Sequence, residues 1–268
     1  MLSKLLDGTP REVIGRLNPC EPELISFRHE ARTTCDGEGR DSSWRVVHCL
    51  AVDAEGKIAG VSGEIDGDGV KAVPQAGVAA RLSDTGSNTP VKGNIYCTLP
   101  LPGETGLPVH LNGRFDLDSS RRSLTIDSGQ TGAARYRTEW NHLLVKHVLS
   151  EAYAHLVEQL AKDFGNDDPE RYYAHWPTVG LPSTKPLDSL ASEVFKKLAV
   201  SPVIRVGNSD WRSPGAVKVI PPDWARLEDP LRAGDWSIPN PVLSNNVLNG
   251  FRTIKQPLKS VSPSLVHD

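Results

Sequence analysis

Short hydrophobic runs separated by turn residues fill the first half of the chain. The run SWRVVHCLAV, from Ser43 to Val52, is followed by the turn DAEG and by a second run, KIAGVSGEI. Apolar runs of this length on either side of a short polar turn are typical of a β-hairpin. The pattern therefore predicts that a strand at 45–52 pairs with a strand at 57–65.

Further strand-like runs follow the predicted hairpin. GVKAVPQAGVAARLS contains Pro74, which predicts an edge or irregular strand because proline cannot donate a hydrogen bond to a neighbouring strand. GNIYCTLPLP predicts a strand closed by two prolines, LPVHLNGRFDLD the next strand, and SLTID the last of the group. Alternation in LPVHLNGRFDLD predicts an inward-facing set, unless its Asn-Gly pair inserts a turn or bulge. That set is Val109, Leu111, Phe115 and Leu117.

From Arg135 the hydrophobic spacing changes from two residues to the 3.6-residue period of a helix. The segment from about 136 to 163 is therefore predicted to be one long helix, with Thr138 as its N-terminal cap and Gly165 at its end. Its apolar stripe must pack on another element, and we expect it to cover the inner face of the sheet. The stripe consists of Val145, Val148, Leu149, Ala152, Leu156 and Leu160.

The remaining segments complete the predicted fold. The prolines of NPCEPE predict at most short helical turns between Glu12 and Arg28, whereas PLDSLASEVFKKLAVS predicts a second helix, followed by PVIRVG, GAVKVI and a tail with many prolines. The expected fold class is α+β, a mostly antiparallel sheet packed against a long helix, with a proline-rich C-terminal extension. The expected domains are an N-terminal segment at 1–43, an α/β domain at 44–200 and a partly irregular extension at 201–268.

Composition and charge narrow the function classes. The 268 residues carry a net charge of −3, which argues against nucleic acid or a membrane surface as partner. Neither a secretion signal nor an apolar run of membrane-spanning length is apparent, so we expect a cytoplasmic protein. The four cysteines form no C-x-x-C pair, which favours buried thiols over a zinc site or a redox motif.

Several polar groups have spacings that suggest metal binding. His147, Glu151 and His155 are spaced i, i+4, i+8, but they lie opposite the apolar stripe, which favours a solvated helix face. In EIDGDG the acidic Glu64, Asp66 and Asp68 alternate as in a calcium loop. The downstream glutamate of such a loop is missing, which favours a hairpin turn. We therefore expect no metal site.

Nucleotide-binding and catalytic motifs are not legible. DTGSN at Asp84 and DSGQTG at Asp127 are similar to the D-x-G-x-G box of one ATPase superfamily, but that box needs an upstream helical asparagine. The only asparagine before Asp84 is Asn18, which is followed by Pro19. Walker, G-x-S-x-G and Rossmann patterns do not occur either. We therefore assign no catalytic residue from these motifs, and we expect no cofactor bound by this chain alone.

Two long runs, GNIYCTLPLPGETGLPVHLNGRFDLDSSRR and EWNHLLVKHVLSEAYAHLVEQL, resemble the sacsin family. The resemblance is to the segment that follows the Bergerat-type ATP-binding module in each large repeat. ERYYAHWP, LDSLASEVFKKLAVSPVI and DWRSPGAVKVIPPD resemble the continuation of that segment. The motif residues, for which the resemblance implies structural roles, are Leu99, Pro100, Leu101, Pro102, Gly106, Leu107, Pro108, Val109, Asn112, Gly113, Phe115, Trp140, Asn141 and Tyr153.

The resemblance also implies candidate contact residues. Sacsin-like proteins are similar to the ninety-kilodalton heat-shock chaperones in their nucleotide-binding module, and in that superfamily the following domain contributes a basic residue near the terminal phosphate. Arg121 and Arg122, in the tip DSSRR, are accordingly the first candidates to contact a phosphate or a partner, with Lys92 and Arg81 next. The residues alone favour an ordinary solvated turn, with Asp116 and Asp118 neutralising the arginine pair.

Three functional hypotheses remain open at this point. The first is a non-catalytic chaperone-type scaffold or a module that binds clients or protein partners. The second is an accessory domain that donates an arginine or lysine to a separate Bergerat-type ATPase module, through which ATP and magnesium would act. The third is a truncated fragment without independent activity. The expected partners are that ATPase module, other chaperones or client proteins.

Overall fold

The computed structural model describes residues 9–19, 21–35, 38–66, 72–85, 90–126, 132–164, 167–207, 210–221 and 237–261. The fold combines a six-stranded, mostly antiparallel sheet with helices, which confirms the predicted α+β class. The chain divides into two compact units. The first is Met1–Leu156 with Gly180–Leu190, and the second is Val157–Val179 with Ala191–Asp268.

The large sheet belongs to the first unit. Its strands are β1 (Glu23–Cys35), β2 (Glu38–Leu50), β3 (Gln75–Asp84), β4 (Asn94–Cys97), β5 (Leu99–Glu104) and β6 (His110–Gly113), in the order β1-β2-β3-β6-β4-β5. Neighbours are antiparallel except β4 and β6, which run parallel. Helix α1 (Pro10–Gly15) precedes β1, and helix α2 (Lys57–Asp66) lies between β2 and β3.

The predicted hairpin partner at 57–65 is wrong, because this segment is helix α2. The backbone N–H groups of Lys57 and Ile58 donate to the Asp53 carboxylate at 2.9 and 2.7 Å, which caps the helix. Ile58, Val61 and Ile65 are spaced three and four residues apart and are buried. A helical period therefore lay within a run too short to be distinguished from a strand.

Strand β2 pairs instead with β1, in a segment for which only short helical turns were expected. Glu23 to Cys35 form thirteen consecutive pairs with β2. Helix α1 is a short helical turn of the expected kind, with a capping box between Thr9 and Glu12. The prediction failed because Pro22 ends the irregular segment, and the residues after it are free to extend.

Strand β3 lies between β2 and β6, so the predicted edge position is wrong. Pro74 precedes the strand by one residue, and its missing N–H is not needed for pairing. The segment GNIYCTLPLP also differs from its prediction: it forms β4 and β5, which turn at Thr98 with a φ of +67°. Pro100 and Pro102 lie in β5 at the sheet edge, where proline is tolerated.

The strand predicted in SLTID is a single bridge between Leu117 and Leu124. Strand β6 is correspondingly short, although the predicted inward residues Val109, Leu111 and Phe115 are buried, which confirms those positions. Leu117 is half-buried. The chain leaves the sheet after Gly113, a position where a Cβ would lie 2.6 Å from the Phe115 ring.

The long helix is confirmed. It consists of α3 (Ala133–Leu143), a π-helical segment (Leu144–Leu149) and α4 (Ser150–Phe164), and every residue of the predicted stripe is fully buried. The π-helical segment contacts β2, β3 and β6, so the helix covers one face of the sheet as expected. The predicted cap is wrong, because the helix begins at Ala133 and Thr138 lies inside it. Gly165 lies outside the described residues.

The second unit is built around aromatic rings. Its helices are α5 (Pro169–Ala174), α6 (Leu190–Leu198) and α7 (Asn245–Thr253), and the first residue of α6 belongs to the first unit. Its short strands are β7 (Ile204–Val206), β8 (Asp210–Arg212), β9 (Lys218–Val219) and β10 (Lys259–Ser260). Trp176, Phe195 and Phe251 are buried against one another. The predicted second helix is confirmed as α6, and the segments PVIRVG and GAVKVI contain the short strands β7 and β9. The domain boundaries at 1–43, 44–200 and 201–268 stay predictions.

Candidate functional site

The two faces of the six-stranded sheet carry different side chains. On one face, Val47, Val78 and Leu111 are buried beneath the long helix. The strand register places the alternate residues together on the opposite face, which we call the open face. These residues are Ile25, Phe27, His29, Trp44, Val46, His48, Gly77, Ala79, Tyr96, His110 and Asn112. Most are half-buried or exposed, and Phe27 is 40% exposed.

A groove of about 410 Å³, which we call the sheet-face groove, lies on the open face. Gly77 and Ala79 form its floor, because β3 carries no large side chain there. A Cβ at Gly77 would lie 2.9 Å from Nδ1 of His48, so glycine is needed beside that ring. The groove is therefore a consequence of small residues in a central strand between strands that carry rings.

Aromatic rings flank this floor. The Trp44 ring stacks on His110 at 5.4 Å between centroids, and Tyr96 meets His110 edge-on at 5.6 Å. Phe27 stacks on His48 at 6.0 Å. Packed rings present rigid apolar surface at a small cost in conformational entropy.

The two histidines of the groove favour the neutral state. Burial lowers the pKa of His48, and burial together with the positive charge of Arg81 lowers the pKa of His110. The backbone N–H of Asn94 donates to Nδ1 of His110 at 3.0 Å, which places the proton of a neutral ring on Nε2. Both rings thus add flat, uncharged surface at neutral pH.

A second cavity, of about 420 Å³, adjoins the groove at the end of the strands, and we call it the end cavity. His48, Thr98 and Asn112 line both cavities. The end cavity is more polar, because Gln75 and Arg114 also line it. An apolar groove on the open face therefore adjoins a more polar cavity at the end of its strands.

Arg114 is held in place at three points. Its N–H donates to the Gln75 carbonyl at 3.1 Å, its Nε donates to Gln75 Oε1 at 3.0 Å, and its carbonyl accepts from Trp140 Nε1 at 2.8 Å. The terminal nitrogens Nη1 and Nη2 have no hydrogen-bond partner among the described residues. The site therefore presents an exposed, oriented guanidinium at the end cavity.

Trp140 and Asn141 of the helix fix the chain that follows β6. The buried Asn141 amide accepts from the Asp116 N–H at 2.8 Å, and it donates to the carbonyls of Asp116 and Thr125 at 2.8 and 3.1 Å. The Asp116 carboxylate accepts from Thr125 Oγ1 at 2.7 Å and pairs with Arg137 at 3.7 Å. These motif residues therefore hold the segment that leads into and out of the basic tip.

The tip itself is organised by Asp118. Its carboxylate accepts from the hydroxyls of Ser123 and Ser120 and from the backbone N–H of Arg122, at 2.8 to 3.1 Å. The hydrogen bond from the Ser123 side chain is the main cause that lowers the pKa of Asp118 to about 2, and Ser120 and the backbone N–H groups contribute further. Arg121 adopts the left-handed conformation, with a φ of +56°.

Arg121 and Arg122 are exposed, and no ion pair joins either to Asp116 or Asp118 in the described part of the chain. The expectation that these aspartates neutralise the pair is therefore wrong, because Asp116 pairs with Arg137 and Asp118 binds hydroxyl and backbone groups. The two guanidiniums are presented on an ordered turn.

The other basic candidates, Arg81 and Lys92, lie in and after strand β3. Arg81 is half-buried, and its Nη1 lies 2.6 Å from Asp84. Arg81 is near the C-terminal end of β3, whereas Gln75 is its first residue, and a strand rises about 20 Å between these two positions. Lys92 is exposed in the segment before β4. Arg81 therefore lies at the other end of β3 from the Gln75–Arg114 contact.

The remaining motif residues lie mostly in structural positions. Leu101, Leu107, Pro108, Val109 and Tyr153 are buried, whereas Leu99 is 72% exposed on the edge strand β5. Gly106 adopts a φ of +72°. Asn112 and Phe115 line the end cavity together with Trp140.

Of the polar groups considered for metals, His147, Glu151 and His155 are half-buried, so their helix face is less solvated than expected. Within the described residues, no three His, Cys, Asp or Glu side chains are grouped so that they could hold a metal ion. Glu64 lies in helix α2 and not in a hairpin turn, and Asp68 and Asp127 lie outside the described residues. Cys49 is buried and Cys97 half-buried, both unbridged.

Sequence reasoning missed Arg114 and the rings around the groove. Trp44, Val46 and His48 alternate along β2 and so lie on one side of it, but the wrong hairpin partner concealed which strands lie beside them. The run LPVHLNGRFDLD predicts a strand that continues through Arg114, so the position of Arg114 at a strand end is not apparent from it.

The described helices include none long and apolar enough to cross a membrane.

The chain is similar to human sacsin, with 31% identity over 176 residues. These residues make up 65% of this chain and 4% of the length of sacsin. No protein-family profile matches the chain, and no solved structure gives a significant match. The chain thus contains a sacsin-related region and spans a small part of that relative.

Proposed function

We propose that this chain is a non-catalytic, chaperone-type module that binds client or partner proteins, like the part of a sacsin repeat that follows the ATP-binding module. The observation that carries the proposal is the ring-walled groove on the open face of the sheet. Exposed apolar surface of this kind marks protein interaction sites. The similarity to sacsin over most of the chain supports the chaperone-type assignment.

The groove is better suited to contact than to chemistry. His110 meets two rings and a backbone N–H, and His48 stacks on Phe27. A general base must lie within hydrogen-bond reach of the group whose proton it takes, and the contacts of these two rings include no hydrogen bond to a hydroxyl or thiol among the described residues. The rings therefore serve as apolar walls in this proposal.

Binding of a permanently unfolded protein tests the proposal. Fluorescein-labelled, reduced and carboxymethylated α-lactalbumin is titrated with the chain, and fluorescence anisotropy is recorded. We expect saturable binding at micromolar concentrations that is lost in the double variant Trp44→Ser, Tyr96→Ser, because it removes two walls of the groove. Binding that is absent, or that is equal in this variant, contradicts the proposal.

A matched control uses exposed apolar residues away from the groove. Leu99 and Ile126 are 72% and 56% exposed and line neither cavity. The double variant Leu99→Ser, Ile126→Ser removes comparable exposed apolar surface, and we expect it to bind like the unmodified chain. Its melting temperature, compared with that of the groove variant, separates lost contact from lost folding.

The arginine tip supports a second candidate function. Arg121 and Arg122 sit on a turn fixed by Asp118 and by Asn141, as a cation that approaches a nucleotide phosphate would require. In this proposal the chain donates an arginine to a separate Bergerat-type ATPase module, and ATP and magnesium act through that module.

ATP hydrolysis by a sacsin ATP-binding module, measured with and without this chain, tests the second candidate. We expect stimulation that falls roughly tenfold to a thousandfold in the double variant Arg121→Ala, Arg122→Ala. An unchanged rate in the variant contradicts the role, and Lys92 and Arg81 become the next candidates. Calorimetry of the isolated chain with ATP and magnesium should show no binding. The sequence has no upstream helical asparagine of the kind that the D-x-G-x-G box needs to bind magnesium.

A further inference from the structure

We infer that the sheet-face groove and the end cavity together bind an extended segment of a partner protein, in which an acidic residue lies two or four positions from a large apolar residue. The inference rests on the proposed function and names the chemistry of the partner. It follows from the apolar half of the site, from the charge of the polar half and from the distance between them.

The apolar half selects a large hydrophobic side chain. Gly77 and Ala79 leave space above β3, and the rings of Trp44, His110 and Tyr96 stand beside that space. Its volume of about 410 Å³ exceeds that of a single side chain, so part of the backbone of the partner also fits. A ring such as that of phenylalanine gains most there, because aromatic pairs add to area burial.

The polar half selects a carboxylate. Arg114 presents Nη1 and Nη2 at the end cavity, and its bonds to Gln75 and Trp140 orient the guanidinium in advance. A guanidinium fork matches a carboxylate in a bidentate pair. The carboxylate of Asp116, which also lines the end cavity, already binds Thr125 and Arg137. The net charge complementarity therefore favours an acidic partner residue.

The strand register sets the spacing between the two halves. Ala79 pairs with His110 and Gly77 with Asn112, and the next position along the same face is Gln75 beside Arg114. The floor of the groove therefore lies about 10 Å from the backbone of Arg114, since alternate residues on a strand are about 7 Å apart. An extended peptide covers this distance within two to four residues, and side chains two or four positions apart point to the same side of it.

Labelled peptides of fixed composition provide the test. The first probe is a nine-residue peptide of serine and glycine, acetylated and amidated at its ends, with one phenylalanine and one aspartate two positions later. The second carries asparagine in place of the aspartate, and the third carries lysine. Fluorescence anisotropy gives the dissociation constant of each for the full chain and for its variants.

We expect the aspartate peptide to bind roughly three- to tenfold more tightly than the asparagine peptide, as suits an exposed but oriented ion pair. The preference should disappear in Arg114→Gln and reverse toward the lysine peptide in Arg114→Glu. Arg11→Gln removes the same charge from helix α1, where Arg11 is exposed and lines neither cavity, and it should leave the preference intact. The reversal in Arg114→Glu is a gain that a merely unfolded variant cannot produce.

The outcomes separate this inference from the proposed function. Equal affinity for the aspartate and asparagine peptides, or a preference that survives in Arg114→Gln, overturns the inference. The proposed function then stands if the phenylalanine peptides still bind and Trp44→Ser weakens them. Failure of all three peptides to bind at millimolar concentration overturns the inference, and failure of the unfolded-protein titration as well overturns both.

Discussion

The two faces of one sheet differ in how they meet their surroundings, although the same strands supply both. On the covered face, valine, leucine and alanine side chains pack beneath the long helix and are almost fully buried. On the open face, Trp44 and Tyr96 contact the His110 ring, Phe27 stacks on His48, and two small residues of β3 lie between these groups. Aliphatic side chains fill space efficiently, whereas rings above a glycine floor leave a groove.

We infer that the covered face supplies stability and that the open face supplies recognition. Substitutions on the covered face should change the free energy of unfolding, and substitutions on the open face should mainly change binding.

The covered face should show the largest effect. Leu149 and Leu156 are fully buried in the helix stripe, and Leu149 belongs to the π-helical segment that contacts the sheet. Leu149→Ala or Leu156→Ala should lower the free energy of unfolding by about 2–5 kcal/mol, because each leaves a cavity. Urea denaturation measures the change.

His147→Ala is the control for the helix, because His147 is half-buried and lies off the stripe. We expect a loss below about 1 kcal/mol, as for most substitutions away from a core. A histidine variant more damaging than the leucine variants would show that the helix is held by a polar network and not by the covered face.

Asn141 should give the next largest effect. Asn141→Ala removes three hydrogen bonds and leaves the N–H and carbonyl of Asp116 without their partner, at a cost of about 1–3 kcal/mol. Trp140→Phe removes the single bond to the Arg114 carbonyl, so it should cost about 0.5–1.5 kcal/mol from that bond. Thermal denaturation compares the two, and an Asn141→Ala variant as stable as the unmodified chain would contradict the proposed bracing of the tip.

The sequence predicted the covered face better than the open face. The apolar stripe from Val145 to Leu160 repeats with a helical period over many residues, so the pattern fits a helix with one buried side and does not fit a strand. The run at 57–65 was too short for its period to decide between strand and helix, and α2 was missed. Strand β1 carries Arg28, Glu30 and Arg32 as an edge strand would, and the hydrophobic pattern alone did not reveal it.

The candidate site depends on pairings that a single sequence does not contain. Trp44 and His110 are far apart along the chain and meet only because β3 lies between β2 and β6. Arg114 is oriented by hydrogen bonds with Gln75 of β3 and Trp140 of the long helix, which are distant from it in the sequence. The arginine pair of the tip was visible in the sequence, but its order depends on the hydrogen bonds of Asp118.

The histidines of the open face should make stability depend on pH, with a smaller effect than the core substitutions. Burial lowers the pKa of His48 and of His110, and Arg81 lowers that of His110 further. The folded chain therefore takes up these protons less readily than the unfolded chain, in which the pKa is about 6.5. Their contribution is fully present above that pH and declines as the pH falls through it toward the lowered pKa of the folded state.

Melting temperatures between pH 7.5 and 5 measure this dependence. The double variant His48→Asn, His110→Asn should lose less stability on acidification than the unmodified chain. An identical loss in both proteins would show that these rings are not responsible for it.

The smallest effect on stability is expected at the tip. Arg121→Ala and Arg122→Ala together should change the free energy of unfolding by no more than about 0.5 kcal/mol, because both side chains are exposed. Asp118→Ala should cost more than the arginine pair, since its carboxylate holds the turn together. Chemical denaturation of the two variants side by side checks the order, and the reverse order would contradict the description of the turn.

The central claim is that the open face of the sheet binds partner segments. Two-dimensional NMR of the isotope-labelled chain, titrated with the unfolded α-lactalbumin probe, tests it most directly. The account predicts that amide signals of Gly77, Ala79 and Asn112 and the indole signal of Trp44 shift or broaden, while those of Leu149 and Arg122 stay in place. Changes confined to the tip around Arg122, or spread evenly over both faces, would contradict it.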